Sequence, residues 1–228
     1  HFSDHRHGVH LFKSLLVKNP AERLGYPGQF SVGIRPISGS VLDRPQHDKP
    51  IELPQEAGIQ DVFRHLASDE GRTTAVAAAI HDAYEQGRKV LVLTERTDHL
   101  DAIAAALLDK VPVPFILHGR MSRRQRVKRV TDLDALPSDE PRVLLATGKL
   151  VGEGFDHPPL DTLVLAMPVS WKGTLQQYVG RLHREHASKT DVRVIDFIDT
   201  GHPALLRMWD KRQRGYRAMG YRVAAACP

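Results

Sequence analysis

Five short apolar runs set the limits on this fold. They are Lys89–Thr94 (KVLVLT), Pro114–His118 (PFILH), Arg142–Thr147 (RVLLAT), Thr162–Ala166 (TLVLA) and Val192–Phe197 (VRVIDF). Each is too short for a buried helix, and each has the near-continuous apolar character of a strand covered on both faces. Helical patterns separate them. Helices are predicted over 59–67, 71–86, 97–109, 122–136, 172–185 and 203–219. The second carries an apolar stripe of Ala75, Ala78, Ala79 and Tyr84 and is stopped by Gly87. Alternation at this spacing predicts an α/β fold, a parallel sheet with helices on both faces. Ligands of such sheets sit at the carboxyl ends of the strands. Function is therefore expected just after Thr94, His118, Thr147 and Ala166.

The first 58 residues read differently. They hold Pro20, Pro27, Pro36, Pro45, Pro50 and Pro54 out of 15 prolines in the chain. A short helix is predicted over Leu11–Val17, ended by Asn19-Pro20. The stretch from Ser38 to Pro54 reads as turns and extended linker. The expected division is an irregular arm over 1–58 and a single α/β domain over 59–228.

Composition excludes some classes. The lone Cys227 cannot form an intramolecular disulfide or a cysteine-cluster zinc site. The His1, His5, His7 and His10 cluster is read as terminal, and no metal site is expected. No apolar run approaches the ~20 residues of a membrane-spanning helix. The start, HFSDHRHGVH, has no secretory pattern, so no membrane partner and a cytoplasmic location are expected.

The formal charge of +5 is modest, but it is concentrated. Arg120, Arg123, Arg124, Arg126, Lys128 and Arg129 crowd into one segment, with Val127, Val130 and Leu133 expected to anchor it to the sheet. A basic face of that kind tracks phosphates without reading sequence. Arg207, Lys211, Arg212, Arg214, Arg217 and Arg222 form a second group, which fits a solvated helix face as well as a phosphate contact. Trp209 shares a helical stripe with Leu205 and Tyr216 and is expected in the core, whereas Trp171 follows a strand end.

The densest chemistry lies in Gln176–Arg184 (QQYVGRLHR). On a helix, Gln177, Arg181 and Arg184 share one face, while Leu175, Val179 and Leu182 occupy the opposite one. Two guanidiniums on one face suit phosphate oxygens. Gly180 inside a helix costs up to about 1 kcal/mol, which counts against a purely solvated amphipathic helix. His183 and His186 flank this face and are expected at the surface.

The segment Gln177-x-x-Gly180-Arg181-x-x-Arg184 resembles motif VI of superfamily 2 helicases, nucleic-acid-dependent NTPases built from two RecA-like lobes. Leu144–Asp156 resembles motif V, Val90–Arg96 the strand that opens the second lobe, and Ile116–Met121 a strand-contacting loop. The segments occur in the family's order over about residues 59–200, nearest to the DNA-translocating branch of restriction-type and mobile-element helicases. The resemblance implies a RecA-like lobe. It implies that Arg181 and Arg184 approach the γ-phosphate, at least one as an arginine finger, and that Gln177 positions nucleotide or water. It places Gly154, Asp156 and Gly180 beside the nucleotide. It puts Thr94, Arg96, His118, Gly119, Arg120, Thr147 and Gly148 along a nucleic-acid strand, with Arg123 and Arg124 of the adjoining basic helix. Phe12–Gly25 is also similar to a late helical segment of AGC-type protein kinases. No kinase catalytic loop or metal-binding triplet accompanies it, and an apolar helix ended by Asn-Pro accounts for it.

The chain contains no Gly-x-x-x-x-Gly-Lys-Ser/Thr loop, and Asp69-Glu70 and Asp139-Glu140 do not follow apolar strands. The resemblance therefore implies a second lobe, inactive alone. ATP and Mg2+ would be held mainly by a first RecA-like lobe in the same full-length protein or another chain. The nucleic-acid partner would be DNA rather than RNA. A non-catalytic nucleic-acid-binding module derived from such a lobe is the alternative.

Overall fold

Every residue of Lys89–Thr94, Arg142–Thr147 and Thr162–Leu165 is buried, because each run is covered from both sides. The computed structural model describes residues 38–45, 51–53, 57–112, 114–148, 155–169 and 175–225, all within the compact unit Ile37–Pro228. The predicted helix over Leu11–Val17, the terminal histidine cluster, Gly154 and Trp171 lie outside the described residues.

Among the described residues, seven strands form one sheet: β1 (Ser38–Pro45), β2 (Lys89–Thr94), β3 (Phe115–Leu117), β4 (Arg142–Thr147), β5 (Thr162–Leu165), β6 (Asp191–Ile198) and β7 (Arg222–Ala225). Their spatial order is β3-β4-β2-β5-β6-β1-β7, and every pairing is parallel. The helices are α1 (Ile59–Ser68), α2 (Glu70–Glu85), α3 (Thr97–Ala106), α4 (Arg123–Asp134), α5 (Gln176–Leu182) and α6 (Pro203–Ala218). Among the described residues, no helix is long and apolar enough to cross a membrane.

Strand alternation divides the core into two layers. Val90, Val92, Val143, Leu145, Val164, Ile195 and Phe197 face α2 and α3. Leu91, Leu93, Leu144, Leu163, Leu165, Val192 and Val194 face the side that receives Leu133 of α4, Val179 and Leu182 of α5, and Trp209 and Tyr216 of α6. The doubly covered sheet is thus the expected one, and Trp209 is in the core. Gly87 ends α2 with φ +76°, the left-handed conformation its position requires. The stripe of α2 is shifted from expectation: Val76, Ala77, Ala79, Ile80 and Ala83 are buried, while Ala78 faces solvent.

The boundary at 58 needs correction. Ser38–Pro45, expected as linker, is a strand inside the sheet, paired to β6 on one side and β7 on the other. Val41 is its buried anchor. A Cβ on Gly39 would sit 2.7–2.8 Å from the ring of Tyr221, so the glycine lets the strand pass beneath that ring. Gly39→Ala is expected to cost about 1–3 kcal/mol by overpacking. Chemical denaturation checks this, and an unchanged midpoint would refute the tight fit.

Buried ion pairs tie helices and strand ends to the sheet. Arg72 of α2 donates from Nε and Nη2 to Asp199, each at 3.1 Å, and from Nη1 to the Ala166 carbonyl. Arg212 of α6 donates to Asp196 of β6 at 2.7 and 3.0 Å. Arg212 therefore leaves the surface group in which the sequence placed it; its charge is spent inside the lobe. Lys89, at the start of β2, packs 3.9 Å from Asp161.

His99 is fully buried, with Nδ1 3.0 Å from the Thr94 hydroxyl. Burial, then the charge of Arg72, lowers its pKa to about 4. His183 is lowered to about 4 by burial and then Lys189. Between these values and the ordinary 6.5, the unfolded chain binds protons that the folded chain does not. Stability is therefore expected to fall as pH drops through that window. A urea midpoint followed against pH tests this. His99→Phe should flatten part of the decline, and a wild-type midpoint constant across the window would refute it.

Candidate functional site

The register places Thr94 opposite Thr147, so the loops leaving β2 and β4 emerge side by side. β3 lies on the far side of β4, and its loop joins them. Glu95, Thr97, Gly119, Arg120, Thr147 and Gly148 line a cleft of about 210 Å³ at these carboxyl ends. Four of the expected strand-contacting residues, Gly119, Arg120, Thr147 and Gly148, thus meet in one place. Thr94 is not among the lining residues; it is 2% exposed and its hydroxyl is engaged by His99. Arg96 turns to Asp98, with Nε 3.0 Å from Oδ1. His118 accepts the Arg120 amide on Nδ1 at 3.2 Å, which shapes the loop.

Gly148 forms part of the cleft wall for a steric reason. A Cβ there would stand 2.8 Å from Glu95 Oε1 and 3.0 Å from the Tyr178 hydroxyl. Tyr178 donates its hydroxyl hydrogen to the Gly148 carbonyl. Burial, then the charge of Glu95, pushes the phenol up to about 12, so it remains a donor.

Immediately beyond the cleft, Ser122 caps α4. Its hydroxyl accepts the Gln125 amide at 3.3 Å, and Gln125 Oε1 accepts the Ser122 amide at 2.9 Å. Arg120, Arg123, Arg124, Lys128 and Arg129 are exposed on or beside this helix. Leu133 is buried and Val130 packs on the core as expected, but Val127 is 58% exposed and anchors nothing.

On α5, Leu175, Tyr178, Val179 and Leu182 are buried, while Gln177 and Gly180 are exposed. The helix ends at Leu182, so Arg184 lies in the following turn rather than on the helical face the spacing predicted. Lys189 helps terminate it: Nζ donates to the Leu182 carbonyl at 2.9 Å and the Arg184 carbonyl at 2.8 Å. The two arginines then differ. Arg181 is half-buried, lines a small cavity with Phe155, His157 and Tyr178, and donates to the Phe155 carbonyl. Arg184 is exposed, with Nε 3.2 Å from Asp156 Oδ1. Among the expected nucleotide neighbours, Asp156 and Arg184 are therefore in direct contact. The space where a Gly180 Cβ would lie is open: among the described residues, no atom beyond its own stretch of helix comes within 4 Å.

His183 is not the surface histidine the sequence suggested. Its Nε2 lies 2.8 Å from the Tyr221 hydroxyl, and the rings meet edge to face at 5.4 Å. His186 is half-buried and paired through Nδ1 with Ser188 at 2.8 Å. Sequence reasoning missed Glu95, Thr97 and Tyr178. Glu95 and Thr97 follow the end of β2, where the rule for parallel sheets directs attention. Tyr178 carried no signal, since its position reads as core. Among the described residues, no group of three or more His, Cys, Asp or Glu is placed to hold a metal ion.

This parallel sheet, covered on both faces and with its motifs at the strand ends, has the RecA-like α/β fold. Residues 73–186 match the helicase conserved C-terminal domain, and the chain belongs to that family. It is 26% identical over 189 residues to the probable helicase D10 of Escherichia phage T5, covering 80% of this chain and 40% of that protein. It is 39% identical over 84 residues to the uncharacterized protein 108L of Invertebrate iridescent virus 3, covering 36% of this chain and 73% of that one. In fold it is similar to T4 UvsW, with TM-score 0.61 and 17% identity over 83% of this chain and 41% of that chain. It is also similar to the E. coli DEAD-box protein SrmB, with TM-score 0.54 and 16% identity over 86% of this chain and 93% of that one. The chain spans about two fifths of the phage relative and of the UvsW chain.

Proposed function

We propose that the chain is the second lobe of an ATP-dependent nucleic-acid helicase or translocase. The carrying observation is the exposed Arg184–Asp156 pair beside the open face at Gly180, on an element joined to the strand-end cleft. An exposed guanidinium held by one exposed carboxylate can exchange that partner for a phosphate at little cost. These residues fit a nucleotide presented by a facing lobe. ATP, when bound there, supplies the phosphoanhydride whose cleavage drives the cycle. Arg184 offsets charge at the terminal phosphate as an arginine finger, and Arg181 supports it from the Phe155 carbonyl. Gln177 positions the nucleotide or water, Gly180 permits close approach, and Asp156 lies beside the sugar. Mg2+ belongs to the first lobe.

The strand track consists of Gly119, Arg120, Thr147 and Gly148 in the cleft, His118 and Arg96 at its border, and Arg123 and Arg124 beyond it. DNA is the favoured strand, since the motifs resemble the DNA-translocating branch. Closure and reopening of the two lobes then advance the strand. The deciding experiment mixes the chain with the first lobe and measures ATP hydrolysis with and without DNA. Strand-stimulated hydrolysis in the mixture, absent from the chain alone, supports the helicase lobe. Strand binding without hydrolysis in the mixture assigns the chain to the non-catalytic module.

A further inference from the structure

We infer that Tyr178 is a positioning residue that mechanically couples the strand-facing cleft to the arginines of α5, an inference that rests on the function proposed above. Tyr178 stands three residues before Arg181 and is fully buried, its ring packed in the core beside Leu175, Val179 and Leu182. Its hydroxyl reaches out of that core to the carbonyl of Gly148, a residue of the cleft wall. Glu95 Oε1 and the Tyr178 hydroxyl both crowd the place where a Gly148 Cβ would lie, at 2.8 and 3.0 Å, so a methyl group there would have to displace one of them.

A strand that displaces the Gly148 backbone therefore acts on the Tyr178 hydroxyl bonded to its carbonyl and on the neighbouring Glu95. Glu95 is exposed and can yield into solvent. Tyr178 cannot yield alone, because a ring in a close-packed core moves with its neighbours. Its motion passes to α5 as a body. Tyr178 and Arg181 also line the same small cavity, so the shift reaches the guanidinium held on Phe155. The hydroxyl keeps its proton throughout the physiological range. The joint is thus a fixed donor rather than a titrating switch.

The test uses the 228-residue chain itself. Binding of fluorescein-labelled oligothymidylate is followed by anisotropy, and amide hydrogen exchange of residues 175–184 by mass spectrometry, with and without the strand. In the wild type, strand binding is expected to slow exchange across α5 and the Arg184 turn. Tyr178→Phe keeps the ring and removes the donor. At strand concentrations that saturate each protein by anisotropy, it is expected to lose about fivefold or more of that slowing, the scale of a typical coupling between sites. Gly148→Ala attacks the same joint from the cleft side, so its α5 exchange should no longer respond to the strand. A change equal to wild type in Tyr178→Phe overturns the joint, and so does wild-type binding that leaves α5 exchange unaltered. A wild type that binds no strand even at low salt overturns the strand track, and the joint with it.

Discussion

Asp196→Ala is expected to destabilise the lobe by about 3–5 kcal/mol, the usual penalty for removing one partner of a buried ion pair. Asp196 is fully buried on β6. It accepts two bonds from Arg212 and a third from the Tyr216 hydroxyl at 2.9 Å. Arg212 is 1% exposed and lies over the Trp209 ring at 5.5 Å. Without the carboxylate, the guanidinium keeps its bond to the Val169 carbonyl at 3.4 Å but, at 1% exposure, cannot replace the lost acceptor with bulk water. A domain with ordinary stability of about 5–15 kcal/mol would lose a large fraction of it. Urea denaturation measures the change. A loss below about 1 kcal/mol, the scale of an exposed pair, would contradict the buried network. Replacing both charges, as Asp196→Leu with Arg212→Met, should recover much of the loss, because an apolar pair leaves no uncompensated charge.

Arg184→Ala is expected to lower strand-stimulated ATP hydrolysis of the reassembled enzyme by about 10³-fold or more, the range of an arginine finger. Folding stability should change by no more than about 0.5 kcal/mol, because the side chain is 56% exposed and its one carboxylate contact is exposed too. That split between rate and stability distinguishes it from Arg181, whose removal also strips a bond from the Phe155 carbonyl. Arg184→Lys should recover little, since a point charge lacks the guanidinium's planar fork. Hydrolysis equal to wild type in Arg184→Ala would remove Arg184 from the chemistry.

The strands legible in the sequence are those whose burial is two-sided. In β2, β4 and β5 every position must be apolar or tethered, and the run announces itself. β1 hides because, among its residues whose burial is described, only Val41 is buried; serine, glycine, arginine and proline surround it in sequence. Its pairing comes from β6, far along the chain, which no local pattern reveals. β7 is a short edge strand with two alanines and offers as little. The candidate cleft divides similarly. Gly119, Arg120, Thr147 and Gly148 were legible because they occupy strand ends, where parallel sheets present their loops. Arg212 was misassigned because a charge on a helix looks the same whether or not an aspartate sixteen residues upstream waits beneath it. Tyr178 was invisible because its ring belongs to the core pattern and its hydroxyl's destination is a matter of tertiary geometry.

The place of β1 between β6 and β7 also sets an order of events on the ribosome. It is the first of the seven strands to be synthesised, yet its partners are the last two. While the rest of the sheet is made, β1 waits without a neighbour, in the state where exposed strand edges invite wrong pairing. The polar residues and terminal proline that conceal it in the sequence also make it a poor template for other chains during that wait. Once β6 emerges, β1 can pair with it, and β7 joins last as the new edge strand. The lobe is then completed by a segment that left the ribosome long before.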